Sequence, residues 1–175
     1  MLGLAAQWLG VNQTQANSVA PILISEEQGR HKSTFCRMLM PPQLARYYSD
    51  NLKLTAQGNP ERLLAEMGLL NMDEFDKFGA QKMPLLKNLM QMSSLNICKA
   101  YQKNFRSLPR IASFIGTSNR TDLLCDPTGS RRFICIEAEH DIDCTGIEHS
   151  QIYAQLKEEL LAGARHWFNK EEEHA

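Results

Sequence analysis

The residues Ser25, Glu26, Glu27, Gln28, Gly29, Arg30, His31, Lys32, Ser33 and Thr34 hold the densest chemistry in the chain. They follow an apolar run at 19–24 and precede a helical pattern at 35–40. Strand, polar loop, Lys-Ser and helix is the layout of a phosphate-binding P-loop. In that layout the backbone N–H groups of Gln28 through Thr34 cradle a polyphosphate at the helix start. Lys32 reaches the outer phosphates, and the Ser33 hydroxyl ligates Mg²⁺. The usual motif has glycines six residues and one residue before the lysine, where this chain has Glu26 and His31. Only Gly29 offers free access to positive φ, although His tolerates the left-handed region better than most residues. The plain alternative is a polar turn whose Lys and Arg are simply solvated.

Three further sets fit the same chemistry. Asp73 and Glu74 end the short apolar strand expected at 68–75. A first carboxylate at such a place can hold the Mg²⁺ shell, and a second can take a proton from attacking water; an ordinary acidic turn would look the same. Asn119 follows an apolar strand at 111–117, where a polar side chain lies on the ligand face of an α/β sheet. It could bond a γ-phosphate or the water, or merely cap a helical turn at 121–124. Arg131 and Arg132 precede a strand at 133–137 and could be plain surface charge. They could equally supply an arginine finger to a phosphate on this subunit or a neighbouring one.

A fourth set is basic and aromatic. Lys99, Lys103, Arg106 and Arg110 interleave with Tyr101 and Phe105 on what reads as a hairpin, 95–103 returning through 104–110. Such a hairpin can hold a nucleic-acid strand by phosphate contact and base stacking, or be a solvated hairpin with two buried rings.

The elements that must position these groups can be read in order. Residues 2–9 form a short helix and 11–18 a polar connector; the first strand spans about 19–25. The Lys32 helix stops at Pro41-Pro42. A short strand at 47–50 and a helix at 61–67, with Pro60 in its first turn, come next. Residues 81–91 form a helix in which Pro84 fits only the first turn. Asp126-Pro127-Thr128-Gly129 is a turn. A long amphipathic helix from Ser150 to about Glu172 carries Tyr153, Leu156, Leu160, Ala164 and Trp167 as its apolar stripe, widened by Phe168; His166 and His174 read as surface residues.

The chain has 175 residues, enough for one domain with a real core. Its 19 basic and 20 acidic residues nearly cancel, so any nucleic-acid surface must be local. The five cysteines form no C-x-x-C pair, which argues against a disulfide framework or a zinc site. No apolar run could span a membrane and the N-terminus lacks the charge of a secretion signal. A reducing, cytoplasmic setting is expected. Neither end carries a terminating signal, so a piece of a longer protein is expected.

Lys-Ser-Thr-Phe at 32–35, Asp-Glu-Phe-Asp at 73–76, Phe-Ile-Gly-Thr-Ser-Asn-Arg at 114–120 and Asp-Pro-Thr-Gly-Ser-Arg-Arg-Phe at 126–133 occur in that order. Together they resemble the virulence-associated protein E family of bacterial P-loop ATPases, found on phages and mobile elements. Residues 17–32 and 99–110 resemble the branch found in gut Bacteroides-type bacteria. The resemblance implies a three-layer α/β P-loop NTPase fold of ASCE/AAA+ type, related to superfamily-three helicases, with a mostly parallel central sheet. It implies one domain over 1–175: helix and connector at 1–18, nucleotide-binding core at 19–137, and C-terminal helix at 150–173. Carried over by position, Lys32 and Ser33 are Walker A, Asp73 and Glu74 Walker B, and Asn119 sensor 1; Arg131 or Arg132 is the finger. The implied cofactors are ATP and Mg²⁺. The implied partners are single-stranded DNA, met by Lys99, Lys103 and Arg106, and further copies of the chain in an oligomer such as a ring. The rivals are a non-hydrolysing nucleic-acid-binding or scaffold module with a degenerate loop, and a small-molecule P-loop kinase.

Overall fold

The structure is a computed structural model and describes residues 1–11, 16–98, 105–120 and 132–168. Its centre is a five-stranded sheet of β1 (Ala20–Ile24), β2 (Tyr48–Ser49), β3 (Leu69–Met72), β6 (Ser113–Ser118) and β7 (Phe133–Glu137). Every pairing in it is parallel, and the order is β2-β3-β6-β1-β7. A separate antiparallel pair joins β4 (Ser94–Cys98) to β5 (Phe105–Pro109), with Ser94 opposite Pro109.

Parallel strands covered on both faces are apolar nearly throughout; β1 and β3 follow that rule, while β6 is buried along its length yet carries Ser113, Thr117 and Ser118. On one face Ile22, Ile24, Leu70, Met72, Phe114 and Phe133 pack against helices α3 (Pro60–Glu66) and α4 (Met83–Gln91) through Leu64, Leu86, Leu89 and Met90. On the other, Leu23, Leu69 and Ile115 meet Leu4 of helix α1 (Leu2–Leu9) and Cys36 of helix α2 (Lys32–Met38). Helix α5 (His149–Leu161) packs outside α1, with Leu156 and Leu160 on Ala5 and Ala6. Trp8 ties this layer down by stacking on Tyr153 at 5.6 Å and donating to the Gly68 carbonyl at 3.0 Å. The result is helices, sheet and helices in three layers.

Two regions read from the sequence need correction. The C-terminal helix ends at Leu161, not near residue 172. Gly163 adopts φ 81°. Its N–H bonds the Leu160 carbonyl, and the Ala164 N–H bonds the Glu159 carbonyl. That Schellman arrangement stops the helix, so Ala164, Trp167 and Phe168 do not continue its stripe. His166 is half-buried rather than on the surface and meets the Trp167 ring edge-on at 4.8 Å. His174 lies outside the described residues.

The second correction concerns Arg110. It is 1 % exposed and unavailable to any nucleic acid. Its guanidinium donates to the carbonyls of Ala112 at 2.8 Å, Met92 at 3.3 Å and Asn17 at 2.6 Å, and also to that of Met90. Two of these carbonyls lie at or just past the end of α4, where the helix dipole favours a cation. The charge also sits 5.2 Å over the Phe114 ring. Burial lowers its pKa to about 10, which leaves it cationic at neutral pH. Arg110 therefore locks the base of the β4–β5 hairpin to α4, to the N-terminal connector and to the strand that follows.

Arg110→Met should cost about 3 kcal/mol or more, because buried carbonyls lose their donor together. Urea unfolding checks this; a change within error of zero would mean that the arginine is not the lock.

Candidate active site

Binding crevices in parallel α/β sheets lie beyond the C-terminal ends of the strands. Here β1, β6 and β3 end side by side around an open cleft of about 400 Å³. Gln28, Gly29, Arg30, His31, Lys32, Ser33, Thr34, Asp73, Glu74 and Asn119 all line it. Two residues not singled out in the sequence, Thr117 and Ser118, line it as well.

The loop turns with less glycine than usual. Gly29 takes φ 88° and His31 takes φ 58°, ψ 19°, immediately before α2. The histidine thus occupies the left-handed position that a glycine would occupy without strain. The Ser25 N–H extends the β1–β6 pairing by bonding the Ser118 carbonyl at 3.2 Å. The Ser25 hydroxyl donates to the Glu27 carbonyl at 2.8 Å and fixes the start of the loop. The Arg30 guanidinium is engaged by Glu27 at 2.7 Å and by Asp141 at 3.9 Å.

Lys32 is only 7 % exposed. Its ammonium donates to Asn119 Oδ1 at 3.0 Å and reaches the Ser25 and Glu27 carbonyls at 3.4 Å. Burial first, then the charge of Arg30, holds its pKa below the ordinary lysine value, while Asp73 acts in the opposite sense. A cation so placed, with neutral oxygens around it, is primed to gain from an arriving anion.

On the other wall, the Ser33 hydroxyl donates to Asp73 Oδ1 at 2.7 Å. The Thr117 hydroxyl donates to the same oxygen at 2.6 Å. A hydroxyl and a carboxylate converging from two elements are the oxygen donors that a hard divalent cation takes. Glu74 is exposed and left-handed at φ 51°. Its carboxylate pairs with Lys77 at 2.6 Å, which raises the pKa of that lysine. Asp76 accepts from the Ser118 hydroxyl at 3.0 Å.

The remaining positions named from the sequence fall elsewhere. Arg132 is half-buried just before β7 begins. In a parallel sheet that is the end opposite the cleft, so it cannot serve the cleft of its own chain. Arg106 is exposed on β5. Lys99, Lys103 and Arg131 lie outside the described residues. Among the described residues no three or more His, Cys, Asp or Glu side chains group as a metal site. Among them, too, no helix is long and apolar enough to cross a membrane.

A family model described as the virulence-associated protein E-like domain matches residues 10–175. A search of curated proteins gave no match. Solved structures of the C-terminal region of NrS-1 are similar. An A-form apo structure of its residues 305–718 has 20 % identity and a TM-score of 0.52, over 98 % of this chain and 36 % of that one. A second apo structure of that region has 19 % identity and a TM-score of 0.53, over 99 % and 44 %. Another A-form apo structure has 20 % and 0.53, over 97 % and 42 %. At these identities the likeness bears on the fold. The chain thus spans less than half the length of these structures.

His31→Gly should stabilise the chain by about 0.5–1 kcal/mol, since glycine relieves the left-handed strain at some cost in unfolded-state entropy. Chemical denaturation reads this directly; destabilisation would show that the imidazole makes compensating contacts.

Proposed function

Since the chain belongs to the virulence-associated protein E-like domain family, we propose that it is a P-loop ATPase domain that binds ATP·Mg²⁺ and couples its hydrolysis to work on DNA. The observation that carries this reading is the meeting of three strand ends in one cleft. Lys32 comes from the loop after β1, Asp73 and Glu74 from the end of β3, and Asn119 from the end of β6 between them. The order that puts the strand of Asn119 between the loop strand and the acidic strand supports this reading.

The residues present fit the nucleotide and its cation. The cleft is within the size range of small-molecule sites. Bound Mg²⁺ would be held by Ser33 and Asp73 and would supply charge neutralisation on the phosphates. The loop amides and Lys32 bind and orient the triphosphate, so Lys32 exchanges its bond to Asn119 for phosphate oxygens. Asn119 is then free to orient the attacking water. Glu74 leaves Lys77 and accepts the proton of that water. Arg132, at the far end of the sheet, can stabilise phosphate charge only on a neighbouring subunit, which gives the proposed oligomer a catalytic reason. Arg131 is the alternative for the same role.

The proposed DNA contact is the β4–β5 hairpin through Lys99, Lys103 and Arg106. Its base is anchored by Arg110, three residues before β6 begins, and β6 runs from there to Asn119. Strain at the hairpin therefore has a direct covalent route to the cleft. The degenerate-loop scaffold reading rests on Glu26 and His31; that His31 takes up the left-handed geometry a glycine would provide favours the ATPase reading over it.

ATP turnover should appear for this chain, rise with single-stranded DNA, and fall by about 10²–10⁴-fold in Glu74→Gln. A phosphate-release assay with and without an oligonucleotide measures it. Turnover equal in the native and Glu74→Gln chains would contradict the assignment of the base.

A further inference from the structure

The geometry points to Thr117 as the positioning residue that sets both acids of the cleft, an inference that rests on the ATPase reading. Thr117 is 3 % exposed and lies in β6, between β1 and β3. The register pairs Gly116 with Met72, so the next residues outward are Thr117 and Asp73. Its hydroxyl uses both of its capacities there. It donates to Asp73 Oδ1 at 2.6 Å and accepts from the Glu74 N–H at 3.3 Å.

That second bond matters because Glu74 is held at φ 51°, ψ 52°, an unfavourable conformation for a side chain without glycine's freedom. The left-handed residue ends the strand and starts the 3₁₀ turn Phe75–Lys77. Without the threonine hydroxyl, the Glu74 N–H loses its partner. The turn could then relax and move the Glu74 carboxylate off its line to the water. Asp73 would keep one hydroxyl donor, from Ser33, so its aim would loosen less than that of Glu74. The role is distinct from that of Asn119, which holds Lys32 instead of the acids.

The test compares the native chain with Thr117→Val and Thr117→Ser in single-stranded-DNA-stimulated ATP turnover, with folding checked by circular dichroism. Thr117→Val keeps the branched shape and β propensity and puts a methyl in place of the hydroxyl. It should lower kcat by about 10–100-fold, the range for partners that orient active groups, while KM for ATP·Mg²⁺ stays within about threefold. Thr117→Ser should restore most of the rate. Native kcat in Thr117→Val overturns the inference, as does a loss that Thr117→Ser shares equally or one confined to KM. Absence of turnover in the native chain overturns the ATPase reading itself, and this role with it.

Discussion

The cleft depends on β6 lying between β1 and β3. The loop that carries Lys32 and the turn that carries Asp73 and Glu74 follow strands that do not touch each other. Each is hydrogen-bonded instead to β6, and the end of β6 reaches both ways. Thr117 and Ser118 hold Asp73 and Asp76 on one side, and Asn119 holds Lys32 on the other. Three consecutive polar residues thus join the two halves, which meet directly through the Ser33 hydroxyl on Asp73. Their positions follow from the parallel register, since one residue of slip would turn their side chains to the opposite face.

The local cost is visible. A lysine is buried with no carboxylate ion pair among the described residues, and His31 and Glu74 both sit in left-handed conformations. Such strain persists only where the surroundings over-determine it. Here they do: β1 and β3 are buried on both faces, and Arg110 gathers α4, the connector and the start of β6 around one guanidinium. This arginine clamp lies at the end of the sheet opposite the cleft. Arg132 and the base of the β4–β5 pair, where Ser94 faces Pro109, lie at that far end too.

Much of this was legible in the chain. Lys32, Ser33, Asp73, Glu74 and Asn119 stand out because charged or amide side chains abruptly follow apolar strands, and such strand ends in an α/β sheet converge. Thr117 and Ser118 were not legible: hydroxyl residues are unremarkable in strands, and only the register brings them level with the acids. Arg110 was misread because it continues a run of basic residues, while its burial is decided by where α4 ends in space. The end of α5 was written in Gly163, but the apolar spacing of Ala164, Trp167 and Phe168 imitated another two turns of helix.

The central claim is that the loop at 28–34 takes a triphosphate even though His31 stands where a glycine is usual. Titration calorimetry of the native chain and of Lys32→Ala with ATP·Mg²⁺ tests it most directly. The account predicts saturable binding by the native chain in the ordinary micromolar to millimolar range and none by the variant. Binding by neither at millimolar nucleotide, or equal binding by both, would contradict it.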